Sequence, residues 1–256
     1  MNKDEHRTYI RSSLMNLFKE TIYTLNHLGK GMEFFAVSNQ LLNTLFLQMT
    51  GAQEQKMKCI CWELATDDLD YRYKRYYEKW DLNQCSTLKD KSCVFKDLMS
   101  AIKKKEKGFN LFVGKDAKKT FRNELYNQFV SVLDGTNVVY LYKDEYEKFK
   151  NVFQKIDFNS ILPSDKQIFK KGDENAPVEK ATYETELFAI YHLLYRHRNR
   201  CAHNTLSYQL NLPHLNMLRN EKFQKYNNIF LFFVTLLMID EIFRKLFEKY
   251  ESLDSF

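Results

Sequence analysis

Leu187-Phe188-Ala189-Ile190-Tyr191-His192-Leu193-Leu194-Tyr195-Arg196-His197-Arg198-Asn199-Arg200-Cys201-Ala202-His203-Asn204 is the stretch that decides the fold. Leu187, Ile190, Tyr191, Leu194, Cys201 and Ala202 recur at the three- and four-residue intervals that gather side chains on one helix face, whereas a strand would alternate by two. Arg198 falls on the same stripe. A cation there needs a partner or a cleft, because an isolated charge is costly to bury. Asn204 can take the left-handed conformation that ends a helix, and the chain through Pro213 loses the periodicity, so the helix is expected to stop near His203.

The same spacing extends in both directions. Ile10, Leu14, Leu17, Leu25 and Leu28 predict a first helix, stopped by Gly29 and Gly31. Phe34, Val37, Leu41, Leu45 and Met49 predict a second, from Met32 to Gly51. A third is expected over Ala52 to Ala65, running on toward Trp80. Others follow over 92–107, from a cap at Asp116 to Gly135, over Asp144 to Ile156, and from Asn220 to Tyr250. Val138 to Tyr142 is β-prone and reads as a short strand or a helix start. Periodicity fades over about 158–182, where Pro163, Ser164-Asp165-Lys166-Gln167, Gly172 and Pro177 predict a loop insertion. The motif helix is then expected to begin near Tyr183, with Glu184 and Glu186 favourably placed against its dipole.

Seven Gly and three Pro are too few for a turn-rich sheet protein, and 44% hydrophobic content suffices for a full core. The expected architecture is all-α: a single helical domain over 1–256, with an N-terminal helical region at about 7–107. The net charge of +6 favours a polyanionic partner. Two segments could serve one. Tyr71-Arg72-Tyr73-Lys74-Arg75-Tyr76-Tyr77-Glu78-Lys79-Trp80 interleaves cations with rings that can stack on bases, or else covers the core edge with its tyrosines. Lys103-Lys104-Lys105-Glu106-Lys107 could guide a nucleic acid or simply complement a helix C-terminus.

Cys59, Cys61, Cys85, Cys93 and Cys201 are an odd set without paired zinc spacing, and the chain opens Met-Asn-Lys-Asp-Glu-His-Arg rather than with a signal sequence; a cytoplasmic protein without metal or other cofactor is expected. The apolar run Ile229 to Ile239 is far short of the roughly 20 residues that span a bilayer, so no membrane partner is expected.

Arg198 and His203 carry the chemistry. A histidine takes or gives a proton near neutral pH, and a guanidinium holds phosphate oxygens whose charge grows in a transition state, a pairing suited to metal-free RNA cleavage. Five residues of straight helix separate the two by about 140°, so they converge only if the helix stops near His203 or a second subunit completes the site. His192 and His197, also five apart, cannot share a face as a metal pair and are expected at the surface or toward RNA.

Arg198-Asn199-Arg200-Cys201-Ala202-His203 resembles the signature of the HEPN superfamily, all-helical proteins that include toxin and phage-defence ribonucleases. The likeness is confined to the motif, the apolar helix before it and the helix after it. It implies a HEPN-type helical bundle with additional N-terminal helices, the catalytic segment lying at about 116–250. It further implies a homodimer whose two motifs form one composite site, with phosphate contact by Arg198, proton transfer by His203 and a supporting polar role for Asn199. Arg196 also precedes His203 within the family spacing, and Arg196, Arg200 and His197 are the expected substrate contacts. Thr205 stands where some members carry a modified tyrosine, so that modification is not expected. The function implied is a metal-independent endoribonuclease, a toxin or anti-phage effector acting on RNA and restrained by an antitoxin or regulatory protein. The alternative is a non-catalytic RNA-binding or protein-interaction scaffold.

Overall fold

The computed structural model describes residues 3–28, 31–78, 85–114, 116–170, 185–203 and 218–254. It is a helical bundle: α1 Lys3–Arg11, α2 Leu14–Asn26, α3 Met32–Asp67, α4 Leu69–Tyr73, α5 Leu88–Lys105, α6 Ala117–Leu133, α7 Asn137–Leu141, α8 Lys143–Phe153, α9 Glu186–His203, α10 Glu221–Tyr226 and α11 Ile229–Asp254. The axis of the bundle is α11. Phe230 to Val234, Leu236 to Ile239, Ile242, Phe243, Leu246 and Phe247 are all buried, and α1, α2, α3, α5, α6, α8 and α9 pack around them. A helix apolar on every side is stable only when enclosed, and enclosure is how this run is used. No described helix is long and apolar enough to cross a membrane.

Several boundaries differ from the periodicity. The first expected helix is two. Ser13 accepts from the Met15 amide at 3.2 Å, and Asp240 of α11 accepts from the Leu14 amide at 2.9 Å, so a fresh N-terminus opens at Leu14. Conversely, the second and third expected helices are one. α3 runs through Gly51, whose cost in a helix of about 1 kcal/mol is outweighed by Met49, Gln53 and Met57, all buried beside it. Gln53 also donates to the Leu236 carbonyl at 3.0 Å, pinning α3 to α11. Asp68 ends α3 and caps α4 by accepting from the Tyr71 amide; one π turn, Lys74–Glu78, follows, and Trp80 lies outside the described residues.

Helix α5 starts at Leu88 rather than 92, because Thr87 and Asp90 form a reciprocal capping box. Asp116 precedes α6 but makes no capping bond through its side chain. Of the β-prone 138–142, residues 138–141 are helical in α7, which Thr136 caps, and Tyr142 ends it. Within the expected insertion, Ile161–Ser164 and Gln167–Phe169 form a two-stranded antiparallel hairpin turned at Asp165-Lys166. Pro163 disguised it, and burial of Ile161, Ile168 and Phe169 holds it. The last expected helix is split at Asn227-Asn228: Asn228 accepts from the Phe230 and Leu231 amides and donates to the Glu145 carbonyl.

Candidate functional site

Helix α9 buries Leu187, Ala189, Ile190, Tyr191, Leu193 and Leu194 against α3, α10 and α11. Glu186 anchors its start, accepting from the Tyr226 hydroxyl at 3.0 Å, Lys225 at 3.2 Å and the Asp157 amide at 3.2 Å. Glu186 therefore works within the chain; Tyr183 and Glu184 lie outside the described residues. From Tyr195 onward the helix rises out of the core. Arg198, Asn199, Arg200 and Cys201 are half-buried, Arg196 is exposed, and Ala202, expected on the stripe, faces solvent.

Arg198 has the partner its position demanded. Its Nη2 stands 3.8 Å from Oε2 of Glu54 on α3, and its Nη1 donates to the Asn199 side-chain oxygen at 3.3 Å. Glu54 also takes Lys58 at 2.9 Å. With 31% of its side chain exposed, Arg198 is loosely held at an edge open to water rather than sealed in the core.

His197 corrects the expectation of a surface residue. It packs against Phe46 of α3 and Phe232 of α11, ring centroids 4.9 and 5.5 Å away. Burial, reinforced by Arg200, lowers its pKa to about 4, so it is neutral at pH 7. Arg200 can only donate, at 3.3 Å, so Nδ1 accepts and Nε2 carries the proton toward the Cys201 sulfur 3.5 Å away. The Cys201 thiol in turn points to Asn43 Oδ1 at 3.8 Å. This line of polar groups fastens the α9 end to α3.

α9 is continuous from Arg198 through His203, so these two positions stand about 140° apart around its axis. The side chain of His203, together with Asn204 and Thr205, lies outside the described residues.

Two participants were not legible in the sequence. Glu54 lies on a distant helix. Lys91, which falls just ahead of the predicted 92–107 helix, is buried at the start of α5, where its ammonium donates to the Cys85 and Ser86 carbonyls at 2.9 and 3.0 Å. Tyr191 of α9 donates to the same Ser86 carbonyl at 3.4 Å. Burial lowers the Lys91 pKa to about 8, against the opposing pull of Cys85, Glu54 and Asp90; the Arg198 charge adds to the lowering. Nothing local distinguishes such a lysine from a solvated one. The lysines ending α5 are engaged too: Lys103 pairs with Asp165, Lys104 with Asp68, and Lys105 sits 5.5 Å from the Tyr250 ring.

Among the described residues, no three His, Cys, Asp or Glu side chains gather in a metal-holding group. Compared with family models, curated proteins and solved structures, the chain gives no match.

Proposed function

We propose that the protein is a metal-independent endoribonuclease acting as a two-fold homodimer, in the manner of toxin and anti-phage ribonucleases. The observation that carries this is Arg198, a partly exposed guanidinium on the motif helix whose Nη2 stands as far as 3.8 Å from the carboxylate of Glu54. A phosphate can displace so loose a contact and satisfy the guanidinium bidentately. The 140° between Arg198 and His203 asks for groups from two chains, and a two-fold axis beside α9 supplies them.

In the proposed reaction the ribose 2′-hydroxyl attacks its adjacent phosphorus. One His203 takes the hydroxyl proton while the partner subunit's His203 protonates the 5′-oxygen as the P–O5′ bond breaks. Arg198 steadies the charge on the phosphoryl oxygens, and Asn199 orients Arg198 through their shared hydrogen bond. The products are a 2′,3′-cyclic phosphate and a 5′-hydroxyl, and DNA is spared for lack of the nucleophile. The test is cleavage of single-stranded RNA by purified protein with product ends mapped. His203→Ala should reduce the rate by at least about 10² with an unchanged circular dichroism spectrum. A wild-type rate in that variant, or 3′-hydroxyl ends, overturns the assignment.

A second reading draws on the same pair. Because Glu54 already partners Arg198 within the chain, the motif can serve packing in a non-catalytic RNA-binding or protein-interaction scaffold. A purified protein that binds but never cuts RNA selects it.

A further inference from the structure

The π turn after α4 sorts its residues unusually. Arg75 turns inward, with its Nη1 2.8 Å from Asp97 of α5, and the Tyr71 hydroxyl donates to the same carboxylate oxygen at 3.2 Å. Holding Arg75 inside leaves Tyr73 and Tyr77 outside, 58% and 75% exposed. Their rings stack on each other, with centroids 5.6 Å apart and planes 21° from parallel. Leu69 is exposed beside them, as are Arg72 and Lys74. Lys74 lines a cleft of about 240 Å³ whose other walls include Tyr71, Lys104 and Tyr250. Of the carboxylates lining it, Asp68 pairs with Lys104 and Asp97 with Arg75, and Asp70 lines it as well; Arg72 donates through Nε to the Ala65 carbonyl at 2.8 Å, with its two terminal nitrogens beyond.

Two near-parallel rings held in water do nothing for the core, but they present a flat π surface at which a further ring can continue the stack. Cations stand at 72 and 74, interleaved with the rings as backbone phosphates interleave with bases. We infer that Tyr73 and Tyr77 form a stacking platform for bases of single-stranded RNA, with Lys74 and Arg72 holding the flanking phosphates. The inference rests on RNA being the substrate of the α9 site.

The two sites share a support. Cys61, and then the nearby charges of Arg75 and Lys91, lower the pKa of the Cys85 thiol against its burial. Lys91 and Tyr191 then hold the Ser86 carbonyl next door. Arg75 of the π turn and Tyr191 of the motif helix thus both bear on the stretch Cys85 to Ser86.

The experiment is fluorescence anisotropy with a labelled 2′-O-methyl 12-mer of uridine or adenosine, which lacks the nucleophile and cannot be cut. Tyr73→Ala and Tyr77→Ala should each weaken binding about tenfold, and the phenylalanine variants should retain it. Lys74→Ala should reduce the slope of log affinity against log salt by about one. Binding of the double alanine variant within twofold of wild type, or no binding by the wild type at micromolar protein, overturns the platform. The two proposals fail separately. A protein that cuts RNA but binds normally without the rings keeps its nuclease site and loses the platform. One that binds through the rings and cuts nothing keeps the platform and loses the nuclease.

Discussion

Arg198 of α9 and Glu54 of α3 face each other at 3.8 Å, close enough for attraction and too far for a good hydrogen bond. In the proposed nuclease, Glu54 is the placeholder that a phosphate would displace from Arg198. Glu54→Gln should raise RNA affinity several-fold at low salt, the gain shrinking as salt screens the charges. In an Arg198→Ala background the same change should have no effect. Anisotropy titrations on the four proteins of this cycle measure the coupling; equal gains with and without Arg198 would show that Glu54 acts on RNA directly.

The buried imidazole of His197 makes stability fall with acid. Its folded pKa of about 4 lies below the ordinary 6.5, so the unfolded chain binds the proton more readily. The stabilisation is complete above about pH 6.5 and is lost as pH falls toward 4, on the order of 2–3 kcal/mol. His197→Phe should flatten urea-denaturation stability across that window. An unchanged acid slope would place the titration elsewhere.

Lys56 and Asp240 form the one ion pair among the described residues with both side chains almost wholly buried, Nζ to Oδ1 at 2.7 Å, where Lys56 also donates to the Ser12 carbonyl. Burial pulls the lysine down and the carboxyl up, so each ion persists chiefly through the other. Asp240→Ala should cost about 3–5 kcal/mol by stranding the cation and uncapping α2. Lys56→Met combined with Asp240→Leu should recover part of that loss. Chemical denaturation distinguishes the two outcomes.

Lys91 and Tyr191 share the Ser86 oxygen, so their removals should not add. Lys91→Met is expected to cost about 1–3 kcal/mol and Tyr191→Phe about 1 kcal/mol, with the double variant less affected than the sum. Strict additivity in urea melts would mean that the two bonds do not act on one joint.

The proposed composite site requires two chains. Sedimentation at assay concentration should show a dimer, and Arg198→Ala subunits mixed with His203→Ala subunits should fall short of full activity, since each mixed site lacks one of each group. A fully active monomer would require Arg198 and His203 to converge within one chain.

Helical periodicity marked the all-α class and the apolar faces of α5 and α6, because a 3.6-residue repeat is a local property of the chain; on α3 and α9 it held only in part, since Val37 and Ala202 face solvent. Tertiary structure decided what local pattern cannot encode. α3 passes through Gly51 because Met49, Gln53 and Met57 are buried on either side. α2 begins at Leu14 because a carboxylate from α11 meets its amide. Composition marked residues 71–80 as cationic and aromatic, but only the inward ion pair of Arg75 determined which rings reached water. At the candidate site, the sequence singled out Arg198 and its need for a partner, while Glu54, Lys91 and the buried face of His197 came from distant segments. Side-chain roles of that kind depend on desolvation and on charges brought near by packing, and neither is written in the spacing of one helix.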